Sequence, residues 1–192
     1  RLVSDWSSDV CSSDLKILVA YASVHGSTGE IAQFISNLFK AYAAEVECAK
    51  VEDIQDISSY DVIILGTAIH EAIWLTSMLQ FLDRFKAEIA TKITYMFITC
   101  IRVLETDGYE HVMKNYVHTP TVEALHIREV QPFAGKMKLD HINWNERWLL
   151  GLRYDGNELK QHFNGDYRDW YAISTWVNKI AQHLSLKPSF ES

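Results

Sequence analysis

Apolar positions along this chain follow two alternating rhythms. Residues 16–22, KILVAYA, make a continuous apolar run with a branched-residue core, which predicts a buried strand. Over 29–43 the apolar residues Ile31, Ala32, Phe34, Ile35, Leu38, Phe39 and Tyr42 recur at helical spacing and predict an amphipathic helix. The same alternation continues down the chain. Strands are expected at 45–51 (half exposed), 61–66 (DVIILG), 92–100 (containing TYMFITC) and 127–134. Helices are expected at 75–85, with Leu75, Met78, Leu79, Leu82 and Phe85 on one face, and at 107–125, kinked near Pro120. A last helix is expected at 166–184, with Trp170, Ile173, Trp176, Val177, Ile180 and Leu184 on its face. Strands that alternate with helices imply a parallel sheet, right-handed crossovers and helices on both faces. Five such strands predict an α/β three-layer sandwich with strand order 2-1-3-4-5. Residues 136–165 do not fit the alternation and are too long for an ordinary connection, so an extra segment precedes the last helix.

Composition narrows the class. A chain of 192 residues favours one core, and 48% hydrophobic residues with three prolines describe a folded chain. A net charge of −7 argues against nucleic acid as a partner. No apolar run is long enough for a membrane span. Cys11, Cys48 and Cys100 form no CxxC pair or disulfide framework, which fits a reducing, cytoplasmic setting, and no metal-ligand spacing is present. Residues 1–14 are Ser/Asp-rich without an apolar period and resemble a translated sequencing adapter. They read as a non-native leader, the alternative being a native disordered tail. The single domain is then expected over 15–186, with the extra segment at about 136–165 and a tail at 187–192.

The first strand and the first helix are joined by Ser23, Val24, His25, Gly26, Ser27 and Thr28. In an open parallel sheet this position faces the ligand crevice, and backbone amides at a helix N-terminus favour an anion. Gly26 lets the backbone approach closely, while Ser23, Ser27 and Thr28 offer hydroxyls. The loop has no Lys or Arg, and neither GxxxxGK[ST] nor GxGxxG occurs in it. Such a socket suits one terminal phosphate monoester. The competing reading is a turn whose Ser27 or Thr28 merely caps the helix.

YASVHGSTGEIA resembles the FMN phosphate loop of flavodoxins, T/S-x-x-G-x-T. More narrowly, the chain after Lys16 is similar to the flavodoxin-domain family that includes the menaquinone-dependent protoporphyrinogen IX dehydrogenases of bacterial haem synthesis. GTAIHEAIWLTSMLQFL, PFAGKM and GDYRDWYAISTWVNKIA carry that similarity. The resemblance implies a flavodoxin-like sandwich, FMN as cofactor, and two further loops that flank the flavin ring. Those loops supply Thr67, Ala68, Ile69 and His70 after strand three, and Thr99, Cys100 and Ile101 after strand four. The family's third-strand loop often reads G-S-P-I-Y-x-G-x-W. Here the proline, the aromatic and the second glycine are replaced, His70 stands in the aromatic's place, and Trp74 is retained, read as core. Glu71 beside a reduced, anionic flavin would lower its potential through like-charge repulsion. Cys100 reads as a small buried residue.

Arg102 has two readings, a fork for a substrate carboxylate or a solvated surface residue. In the extra segment Ile142, Trp144, Trp148, Leu149, Leu150, Leu152 and Tyr154 are interleaved with Arg147 and Arg153. By resemblance this segment meets a flat apolar substrate, a quinone or the membrane surface, with Trp144, Arg147 and Trp148 as substrate contacts. The alternative is a helix packed on its own domain or in a homodimer seam. Asp166 reads as the cap of the last helix with Asp169 as its partner, and Arg168 as a surface ion pair.

The function implied is an FMN-dependent oxidoreductase passing electrons from a reduced tetrapyrrole, or another small reductant, to a quinone. The protein would be cytoplasmic or peripheral at the inner face of the membrane. No catalytic side chain is assigned, because the flavin carries the chemistry. The alternatives are a flavodoxin-like electron-transfer protein and a non-catalytic paralogue with an interaction role.

Overall fold

The structure, a computed structural model, describes residues 15–42, 44–141, 144–153 and 164–188. The expected leader at 1–14, Ile142, Tyr154 and most of the tail at 187–192 lie outside the described residues, as do the side chains of Leu149, Leu152 and Arg153.

Five parallel strands form the sheet: β1 (Lys16–Ala22), β2 (Glu45–Lys50), β3 (Val62–His70), β5 (Ile93–Thr99) and β6 (Val130–Phe133). They lie in the order β2-β1-β3-β5-β6, the expected 2-1-3-4-5 of successive parallel strands. Ile17 is opposite Val62, Val62 is opposite Ile93 and Met96 is opposite Val130. Side chains alternate across the central strands. Leu18, Ala20, Ile63, Leu65, Met96 and Ile98 enter one core with α2 (Thr76–Arg84), α3 (Lys86–Ile89) and α4 (Gly108–Asn115). Ile17, Val19, Val62, Ile64, Tyr95 and Phe97 enter the other with α1 (Ser27–Lys40) and α7 (Trp170–His183). Burial on both faces is why these strands read as continuous apolar runs. β2 is an edge strand and keeps a half-exposed pattern. β6 is the other edge, where Pro132 removes no ladder donor that a central strand would need.

Three expectations are corrected. The sheet has six strands, because β3 continues past Gly66 to His70 and returns as β4 (Ile73–Trp74), antiparallel to it. The supposed third-strand loop is therefore a two-residue hairpin, with Glu71 at φ 51° and Ala72 at φ 66°. The 107–125 helix is two helices, α4 and α5 (Thr119–Ala124). Pro120 sits in the first turn of α5, where its missing N–H costs nothing, and it disfavours helical backbone before it. The last helix begins at Trp170, capped by Asp169, whose carboxylate accepts from the Ala172 N–H at 2.9 Å. Asp166 belongs instead to β8 (Gly165–Asp166), which pairs antiparallel with β7 (Lys136–Met137). Between these two short strands lie a 3-10 turn (Leu139–His141) and α6 (Trp144–Arg153). Leu150 of α6, Met137 and Ile101 pack against Leu139 in a small core of their own. Among the described residues no helix is long and apolar enough to cross a membrane.

Candidate functional site

The carboxyl ends of β1, β3, β5 and β6 open into one cavity of about 370 Å³. Its first wall is the turn into α1, through Ser23, Val24, His25, Ser27 and Thr28. Its second is the β3–β4 hairpin, through Ala68, Ile69, His70, Glu71 and Ala72. Thr99, Cys100, Ile101 and Arg102 line it from the end of β5, and Gly135, Lys136 and Met137 from the end of β6. Tyr116 and Leu150 complete the lining. Four segments separated in sequence thus converge because parallel strands all end on the same edge.

The turn into α1 is built to leave donors open. Gly26 takes φ 86°, ψ −22°, a left-handed backbone suited to glycine, and its N–H donates to Ser23 Oγ at 3.1 Å. No side chain caps the helix, so its first amides point outward with the positive end of the helix dipole. Ser27 therefore does not cap; its Oγ accepts from the Lys136 backbone N–H at 2.8 Å and keeps its own proton for a further bond. Thr28 is buried, and its hydroxyl pairs with that of Thr99 at 2.6 Å, tying α1 to the end of β5. A Cβ at Gly135 would stand 3.0 Å from Ser27 Oγ, so the bare backbone lets the two loops close on each other.

Gly26 and Thr67 are the two expected cofactor residues that do not line the cavity. Gly26 shapes the turn. Thr67 is buried beneath the hairpin, where Oγ1 donates to the Ala68 carbonyl at 3.1 Å and accepts from the Leu75 N–H at 3.4 Å. Trp74 is core, as read from the sequence, and its Nε1 donates to the Tyr116 carbonyl at 2.8 Å. That bond joins the hairpin to the segment carrying Tyr116, a lining residue for which the sequence held no signal.

Arg102 lines the cavity with its guanidinium paired to Glu105 and to Asp107, 3.1 Å away, and its buried Nε has no partner among the described residues. Trp144, Arg147 and Trp148 do not line the cavity; they lie on the exposed face of α6, with Trp144 75% and Trp148 54% exposed. It is Leu150 of that helix that reaches the wall. Lys136 and Met137 were also missed as site residues, although the rule that ligands sit beyond strand ends points to the residues after β6 as much as to those after β1.

Around the anion end, charge is arranged by Arg168. Contrary to the surface pair expected, its side chain is only 6% exposed. It bonds Asp166, with Nε 2.7 Å from Oδ1, reaches Glu30 in the first turn of α1, and stacks 4.6 Å from the Trp170 ring. The hydrogen bond from Arg168 holds the Asp166 carboxyl below its ordinary range, and the two carboxylates raise the Arg168 guanidinium further. Glu30 would otherwise repel an anion at this helix end. Among the described residues no cluster of His, Cys, Asp and Glu is placed to hold a metal ion.

These residues fit FMN. The cavity volume lies within the range of about 300–1,000 Å³ typical of small-molecule sites. One end offers uncapped amides and a hydroxyl for the phosphate. The remainder is walled by Ile69, Ala72, Ile101, Met137 and Leu150, apolar side chains suited to a flat ring.

Known proteins share the fold. The chain is 20% identical over 189 residues to a protoporphyrinogen IX dehydrogenase (quinone) of Escherichia coli (strain K12), covering 92% of this chain and all of the relative. Flavodoxin 1 from Bacillus cereus superposes with a TM-score of 0.57 at 16% identity, over 88% of this chain and 98% of that one. A flavodoxin from the domain Archaea gives 0.55 at 13% identity, over 89% and 99%. The model of the family described as "Flavodoxin domain" matches residues 18–161. With that match spanning most of the chain, the chain belongs to the flavodoxin domain family, whose cofactor is FMN.

Proposed function

We propose that this protein is an FMN-dependent oxidoreductase that takes electrons from a reduced tetrapyrrole and delivers them to a quinone. The supporting observation is the excursion between β7 and β8. It brings Met137 and Leu150 onto the cavity and displays Trp144 and Trp148, one helical turn apart, on the exposed face of the helix that carries Leu150. A protein that only shuttles electrons to another protein needs the flavin edge exposed. A small-molecule oxidoreductase also needs an apolar seat next to the ring, and α6 supplies one. The E. coli relative, matched over its full length, is named for this donor and acceptor.

Bound FMN supplies reversible one- and two-electron transfer. The chain does the rest. The start of α1 and Ser27 hold the phosphate. The hairpin at Ala68–Ala72 and the turn at Thr99–Arg102 flank the ring and keep water from it. Leu150 and Met137 bound the space that a flat substrate enters. Glu71, at the tip of the hairpin, disfavours added electron density through its negative charge. The aromatic face of α6, with Arg147 between Trp144 and Trp148, suits an interface where a lipid-soluble quinone is met.

The test is anaerobic turnover of protoporphyrinogen IX by the FMN-loaded protein with a water-soluble menaquinone analogue and no protein partner. Turnover is expected. Trp144→Ala with Trp148→Ala should lower kcat/KM and leave FMN affinity unchanged. An FMN-loaded protein that reduces no quinone with this donor refutes the proposal.

A further inference from the structure

We propose that Lys136 is the counter-ion of the cofactor phosphate. The inference deepens the FMN reading and rests on it. The turn into α1 carries no Lys or Arg, so from sequence the phosphate socket looked uncharged. The fold brings a cation to it from more than a hundred residues away. The Lys136 backbone N–H donates to Ser27 Oγ at 2.8 Å, which fixes the start of β7 against the socket, and Lys136 lines the same cavity as Ser23, His25 and Ser27.

The Lys136 charge is felt by Asp166, but the carboxylates near this lysine are already bonded by Arg168. Its ladder partner across β7–β8 is Asp166, and both oxygens of that carboxylate are taken by Arg168. Arg168 also takes Glu30, the acid in the first turn of α1. The other cation on the cavity, Arg102, is paired with Glu105 and Asp107. Among the described residues the Lys136 ammonium has no ion pair within 4 Å. A phosphate dianion at the α1 N-terminus would meet this ammonium, the helix amides and the Ser27 hydroxyl. Arg168 acts one step back, by keeping Glu30 and Asp166 from competing for the lysine and from repelling the phosphate.

The assay is fluorescence-quenching titration of the full chain with FMN and, separately, with riboflavin, at low and high salt. The native chain, Lys136→Met and Lys136→Arg are compared. All three keep the backbone N–H that holds Ser27, and circular dichroism checks their fold. Lys136→Met should lose about tenfold or more in FMN affinity, as expected for a charge-assisted bond, and keep its riboflavin affinity. Native FMN binding should weaken with salt, riboflavin binding should not, and the salt dependence should flatten in Lys136→Met. Lys136→Arg should restore most of the preference for FMN. An unchanged FMN-to-riboflavin ratio in Lys136→Met, or native FMN binding that ignores salt, overturns the proposal, and the salt arm decides it even if the Met variant folds poorly. A native chain that binds neither flavin overturns the cofactor reading itself, a failure visible before any variant is compared.

Discussion

The hydroxyl pair between Thr28 and Thr99 ties the start of α1 to the end of β5, and its worth can be measured. The oxygens are 2.6 Å apart, and the two residues are 1% and 6% exposed. Thr28→Val exchanges a hydroxyl for a methyl of nearly the same size and leaves the Thr99 hydroxyl buried without its partner. An orphaned buried group of this kind costs about 1–3 kcal/mol, and Thr99→Val should cost the same for the same reason. The double variant removes both hydroxyls and orphans neither, so it should be no less stable than either single one. With each single change at about 2 kcal/mol, additivity would put the double at about 4 kcal/mol, and the shortfall of roughly 2 kcal/mol is the coupling. Urea unfolding of the cofactor-free chain followed by circular dichroism measures it. A slope of about 1–3 kcal/mol per molar urea turns each single change into a midpoint shift near 1 M. Strict additivity of the two changes would refute the pairing, and with it the account of how α1 is held over the strand ends.

The hairpin and the acid limb of stability give two further tests. Glu71 and Ala72 both sit at positive φ, where a side chain costs roughly 1–2 kcal/mol relative to glycine. Glu71→Asn with Ala72→Gly, the pair this turn prefers, should raise unfolding free energy by about 1–2 kcal/mol in the same urea assay, and a loss of stability would mean that the turn is not of this type. Arg168 holds the Asp166 carboxyl below its ordinary value of 3.8. The folded pKa therefore lies under the unfolded one, so the stabilisation is complete above about pH 4 and fades as pH falls through the folded value. Asp166→Asn should flatten the stability profile in that acid window and leave its slope near neutrality unchanged, and a slope altered only near neutrality would contradict the sign.

Much of this was legible from the residue pattern, for identifiable reasons. KILVAYA, DVIILG and TYMFITC each hold an unbroken apolar stretch because both faces of each strand are covered, and that property distinguishes a parallel α/β sheet from a sheet wet on one side. The glycine and hydroxyls between Ser23 and Thr28 marked the turn into α1, because such a turn needs few residues and all of them are local. The hairpin at His70–Ile73 was not legible. Glu71 and Ala72 are poor residues for two positive φ angles, so local preference argued for an open loop, while pairing of Ile69 with Trp74 and burial of Trp74 overrode it. Asp166 read as the cap of the last helix, with Asp169 as its partner. The pairing of Lys136 with Asp166 across β7–β8 took the first residue out of the helix and left the cap to the second.

Periodicity and local turn chemistry act within about a dozen residues, so the sequence alone carried the strand order of the parallel sheet, its three layers and the turn that leads into α1. Charge pairing and cavity walls depend on which distant residues meet. Only folding put Lys136 beside Ser27, Arg168 between Glu30 and Asp166, and Leu150 opposite the hairpin. Each of those contacts joins residues whose individual patterns say nothing about one another. The turn at one end of the cavity was therefore written locally, while the charged groups around it and its apolar wall arise from the tertiary structure.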